Sequence, residues 1–99
     1  MAEEKKYDIV IVGGGPGGLT AGLYSARAER KTIAIEKYLP GGQIANTEEV
    51  EDYPGFERIS GAELATKIAE HARKFGLQVA SDEVVEVYVE GNDRMVRCA

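Results

Sequence analysis

The residues best suited to chemistry lie near the start of the chain, where Gly13-Gly14-Gly15-Pro16-Gly17-Gly18 holds the spacing G-x-G-x-x-G. An acid, Glu36, follows about 20 residues on. Glycines in this pattern suit main-chain recognition of a diphosphate. Gly13 permits a tight turn, Gly15 lets the backbone come close to a pyrophosphate, and Gly18 lets a helix pack against the preceding strand. Pro16 and Gly17 stand where that helix begins, so its unpaired amides and the positive end of its dipole face the phosphates. Glu36 is placed to accept hydrogen bonds from the adenosine ribose, and its charge disfavours a 2′-phosphate, so FAD or NAD is expected ahead of NADP. Lys37, next to it, joins the binding set. The fingerprint does not separate FAD from NAD, because both offer it the same adenosine diphosphate.

A lone G-x-G-x-x-G also occurs in flexible turns, so the elements around it decide its weight. Tyr7 to Val12 is a nearly continuous apolar run, the pattern of a strand buried on both faces of a parallel sheet. From Gly17 to Arg30, Leu19, Leu23 and Ala26 recur at helical spacing, and Thr32 to Ile35 reads as a second strand. Together they predict a right-handed βαβ unit with parallel neighbouring strands. Strand, glycines, helix, strand and acid therefore come in the order that dinucleotide binding requires. Leu39 to Ile59 has neither periodicity and predicts a long ordered loop. Ser60-Gly61-Ala62-Glu63 predicts a capping box opening a second helix, with Leu64, Ile68, Ala72 and Phe75 on its apolar face and Gly76-Leu77 as its stop. Leu77 to Ala80 predicts a third parallel strand. Val85, Val87 and Val89 alternate with polar residues as in a half-exposed strand, Gly91-Asn92-Asp93 is a turn, and Met95 to Cys98 is the returning strand. The fold class is α/β: a Rossmann-like, incomplete FAD/NAD(P)-binding domain with parallel sheet, second helix and β-hairpin.

The 99 residues have room for one domain, and their net charge of -5 argues against nucleic acid, which calls for a clustered basic face. No apolar stretch approaches the roughly 18 residues needed to span a bilayer, so no membrane partner is expected. The one cysteine, Cys98, excludes an internal disulfide and leaves cytoplasmic residence as the expectation. His71 reads as a helix-surface residue. Since His, Cys and Glu never cluster at ligand spacing, no metal is expected, and no residue is assigned as catalytic.

Two further stretches resemble a family. Gly41-Gly42-Gln43-Ile44, followed by Glu49-Val50-Glu51-Asp52-Tyr53-Pro54-Gly55-Phe56, is similar to the paired loop signature of the low-molecular-weight thioredoxin reductases. The turn from Gly13 to Ala21 and the helix from Ser60 to Gly76 resemble the same family. The resemblance implies FAD as cofactor. The backbone of Gly42, Gln43 and Ile44 and the Gln43 side chain would lie along it, Thr47, Val50 and Asp52 would approach the isoalloxazine, and the Val84 backbone would meet the adenine. Taken singly, Gly41-Gly42 and Tyr53-Pro54-Gly55 are ordinary turns.

In that family NADPH reduces the flavin, which reduces a Cys-x-x-Cys pair serving thioredoxin. This sequence has no Cys-x-x-Cys and no second nucleotide fingerprint. Also missing are the strand that completes the parallel sheet and the late Gly-Asp segment on the ribityl side of FAD. The expectation is a single, truncated FAD-binding domain over residues 1–99, not self-sufficient for catalysis. Its partners would be FAD and either the remainder of a reductase or a second copy, forming a homodimer across unpaired sheet edges. A non-catalytic adenine-dinucleotide module is the alternative. One departure stands out: Asp52 occupies a position where the family commonly has asparagine, and a carboxylate there would oppose the negative charge that develops on flavin reduction.

Overall fold

Strands β1 (Ile9–Val12) and β2 (Thr32–Glu36) run parallel on either side of helix α1 (Pro16–Arg27) in the chain, with Ile9 opposite Thr32 and Val12 opposite Ile35. Strand β3 (Gln78–Ser81) adds to the other edge of β2, also parallel, giving the order β1-β2-β3. This computed structural model describes residues 4–38 and 40–99. Met1 to Glu3, part of the polar start, and Leu39, the first residue of the expected long loop, lie outside them.

The register puts Ile11, Ala34 and Val79 in one row across the sheet, and these pack under α1 and α2 (Gly61–Lys74) with Leu19, Ala26, Ala69, Ala72 and Leu77. At Gly22 helix α1 packs on the residue that follows the stop of α2, an added Cβ lying 2.6 Å from a Leu77 methyl carbon. The opposite face carries no described helix. That corrects the expectation of a β1 buried on both sides, since Val12 is 58% exposed.

Helix α1 ends three residues earlier than its periodicity suggests. Glu29 takes a left-handed conformation (φ 62°), and the Arg30 amide reaches back to the Ser25 carbonyl at 3.1 Å. The closure is the usual glycine-type stop built on a glutamate, which no local signal announces. The stop of α2 is as expected, with Leu77 N–H bonded to the Ala72 carbonyl and Gly76 N–H to that of Arg73. At the start of α2, the Ser60 hydroxyl accepts from the Glu63 amide at 3.1 Å, the half of the capping box that forms. Ser60→Ala should therefore cost about 1 kcal/mol, lowering the thermal midpoint by roughly 4–8 °C; an unchanged melting curve would show that the cap contributes nothing. Phe75 departs from the expected apolar face. It is 42% exposed and lies beside the His71 ring and the Arg27 guanidinium.

The segment read as an irregular loop contains a 3-10 helix, Gly42–Asn46, and an antiparallel bridge between Val50 and Ile59. Val50, Ile59 and Leu64, with Ile44 and Ile68 against them, form a second small core that ties the segment to α2. Strands β4 (Val84–Glu90) and β5 (Asp93–Cys98) make a separate antiparallel hairpin, Val87 facing Val96. Its first strand, expected to be half-exposed, is more open than that: Val87 and Val89 are 61% and 63% exposed, because no described layer packs on them. No helix among the described residues is long and apolar enough to cross a membrane.

Candidate dinucleotide site

The glycine hexad occupies the corner where β1 becomes α1. Gly13 turns the chain with φ 107°, its amide bonded to the Ile35 carbonyl at 2.8 Å. Gly15 is the N-cap of α1. No side chain caps it and no acid stands in the first turn, so the positive end of the helix is left uncompensated. Among the described residues, the amides of Gly15, Gly17 and Gly18 have no hydrogen-bond partner.

The space around these glycines separates two causes. A Cβ on Gly18 would run into the Gly13 carbonyl and come within 3.3 Å of an Ile11 methyl, so packing of helix on strand accounts for that glycine. A Cβ on Gly15 or Gly17 would meet nothing within 4 Å. Protein packing does not require glycine at these two positions, whereas a diphosphate lying on free amides does. The residues present thus fit the anionic centre of a dinucleotide.

Glu36 closes the corner. It is 8% exposed, its Oε1 accepting the Gly14 amide at 2.7 Å and its Oε2 the Tyr38 amide at 2.9 Å. Each carboxylate oxygen keeps lone-pair capacity for a further donor such as a ribose hydroxyl. Beyond it opens a cleft of about 240 Å³ at the carboxyl ends of the parallel strands, which brings Gly13, Glu36, Lys37 and Val84 together. That is where open α/β sheets receive ligands. Lys37 bridges to Glu83 at 3.0 Å and lies over the Tyr38 ring, and the hydrogen bond to the Glu83 carboxylate raises its pKa above the ordinary lysine value.

Tyr38, Asp82 and Glu83 also line this cleft and were not singled out from the sequence. Asp82 and Glu83 follow β3 directly, so their signal was available once β3 is placed beside β2, at the end of a parallel strand.

The second set of expected residues is placed less uniformly. The Gly41 amide donates to the Gly14 carbonyl at 2.6 Å, and a Cβ on Gly42 would lie 3.1 Å from the Gly15 Cα, so the start of the 3-10 helix abuts the phosphate corner. Gln43 is exposed, while Ile44 is half-buried and turned to the second core. Thr47 is exposed. Val50 has its side chain buried in the second core, and its amide and carbonyl are both bonded to Ile59. Asp52 is exposed on an open cleft of about 440 Å³ beside Tyr53 and Phe56. Glu49 and Glu51 pair with Arg58 on the solvated face of the same loop. Cys98 is half-buried, and burial first, then the Asp82 charge, pushes its thiol pKa up, away from the thiolate that reactivity requires.

The family model for pyridine nucleotide-disulphide oxidoreductases matches residues 7–97. The chain belongs to this family. Within it, the thioredoxin reductase of Bacillus subtilis (strain 168) is 52% identical over 96 residues, covering 97% of this chain and 30% of that protein. The crystal structure of Lactococcus lactis thioredoxin reductase superposes with a TM-score of 0.88 at 44% identity, over 94% of this chain and 31% of that one. Thioredoxin reductase from Giardia duodenalis gives a TM-score of 0.90 at 30% identity, over 97% and 31% of the two chains. The resemblance read from the paired loops and the Rossmann-like fold class are both borne out. The chain spans about 30% of the length of the Bacillus relative it matches.

Proposed function

We propose that the chain is the FAD-binding segment of a thioredoxin-reductase-type flavoprotein. The observation that carries the proposal is the open space before Gly15 and Gly17, backed by free helix amides and bounded by the buried Glu36 carboxylate. In this reading the amides of Gly15, Gly17 and Gly18 hold the diphosphate, Glu36 fixes the adenosine ribose, and the cleft ending at Val84 receives the adenine. Gly42 and Gln43 continue the path from the phosphate corner toward the loop that carries Thr47 and Asp52. FAD, when bound, supplies two-electron transfer between a nicotinamide donor and a disulfide. Those reactants meet parts of a complete reductase beyond the stretch this chain matches, so electron transfer to a Cys-x-x-Cys pair is proposed for the parent protein. A single cysteine fits a reducing compartment, and cytoplasmic residence is part of the proposal.

Titration with FAD, followed by absorbance in the near-UV and blue, tests the reading. A perturbed flavin spectrum that saturates is the expected result; ADP-dependent stabilisation with an unperturbed flavin spectrum would favour the adenine-nucleotide module instead. In a full-length protein carrying this segment, Asp52→Asn should raise the flavin midpoint potential by on the order of 30 mV, the equivalent of about 1.4 kcal/mol for a two-electron couple. An unchanged potential would remove Asp52 from the vicinity of the flavin.

A further inference from the structure

The geometry points to Glu83 as a specificity-determining residue of the adenosine cleft, which keeps Lys37 from serving as a phosphate ligand and so excludes 2′-phosphorylated adenosine. This rests on the dinucleotide reading of the site. Four charged side chains line the cleft: the acids Glu36, Asp82 and Glu83, and the base Lys37. Lys37 is therefore the group on that wall able to attract a phosphate dianion. Its ammonium stands 3.0 Å from the Glu83 carboxylate, and the pair leaves each side chain about half exposed, so it sits at the mouth of the cleft and not beneath it.

Glu36 alone does not account for discrimination. Its carboxylate is held from behind by two amides, and its charge repels a 2′-phosphate. A lysine on the adjacent residue of the same strand end would offset much of that repulsion if its charge were free. With Asp82 on the same wall the field is negative even beside a free lysine, and pairing Lys37 with Glu83 deepens it. The main chain supports the arrangement: Glu83 donates its amide to the Asp82 carboxylate at 2.8 Å and accepts the Ala99 amide at 2.8 Å, so its backbone is fixed apart from what its side chain does.

The test compares ADP-ribose with 2′-phospho-ADP-ribose, which differ only in the 2′-phosphate, by calorimetric titration of the full chain at low ionic strength. The unsubstituted chain should prefer ADP-ribose. Glu83→Gln removes the charge while keeping size, and should shift the ratio of affinities toward the 2′-phosphorylated ligand by roughly three- to ten-fold, an effect that fades as salt is added. The shift should disappear in the double variant Glu83→Gln/Lys37→Gln. Binding of ADP-ribose with a ratio unmoved by Glu83→Gln, or a shift that survives loss of Lys37, would overturn this inference alone. Failure of the unsubstituted chain to bind ADP-ribose at all would overturn the dinucleotide reading, and this inference with it.

Discussion

A chain carrying Gly15→Ala is expected to melt at the unsubstituted temperature and yet to bind FAD or ADP-ribose about a hundred-fold more weakly, a loss of some 2.7 kcal/mol. The two halves of that result come from different observations. Gly15 has φ -76° and ψ -175°, an extended conformation that alanine adopts without strain, and its added methyl would meet no protein atom within 4 Å. Alanine is the poorer N-cap but restricts the unfolded chain, two effects of about 1 kcal/mol or less that oppose each other, so stability should be nearly unmoved. A diphosphate seated on the neighbouring amides registers the change, because the methyl occupies the ground across which the phosphate must approach. Gly18→Ala is the contrasting control: its methyl collides with the Gly13 carbonyl, so it should lower the melting point whether or not ligand is present. Equal affinity of Gly15→Ala and the unsubstituted chain would mean that the open space is not where the ligand lies.

The contrast also explains what could be read from residues alone. The glycine corner and the stop at Gly76 are local patterns, and the βαβ unit that brings Glu36 to that corner is one continuous stretch from Ile9 to Glu36. Tyr38 is a near neighbour of Glu36, but Asp82 and Glu83 enter the same cleft only because β3 pairs with β2 in the register that sets Ser81 opposite Glu36. That pairing joins residues more than forty positions apart, and no window of sequence displays it. Exposure was misjudged for a related reason. An apolar run such as Ile9 to Val12 shows which residues tolerate burial, but whether Val12 is covered depends on a layer beyond the strand, and among the described residues the helices lie on one face. Val50 shows the opposite case: the resemblance places it by the ligand, and no sequence pattern announces the bridge to Ile59 that draws its side chain into a core the loop builds for itself.

Glu36→Ala should destabilise the ligand-free chain by about 2–4 kcal/mol, because a buried carboxylate that accepts two amide hydrogen bonds is removed and both donors lose their partner. For a domain of this size that lowers the midpoint by roughly 10–20 °C. The fingerprint assigns this acid to the ribose, a role that predicts no effect without ligand. The structure adds a second role: Oε1 holds Gly14, and the Gly14 carbonyl holds the Gly41 amide, so one side chain ties the end of β2 to both glycine corners. Glu36→Gln keeps one acceptor oxygen and should cost about half as much, while its binding of ADP-ribose should still fall, since the amide nitrogen cannot accept from a ribose hydroxyl. Thermal melts of the ligand-free variants separate the roles. A Glu36→Ala chain that melts like the unsubstituted one would show that the carboxylate serves only the ligand, whereas the expected loss means that the phosphate corner is assembled before any nucleotide arrives, with the energy of ordering it already met in folding.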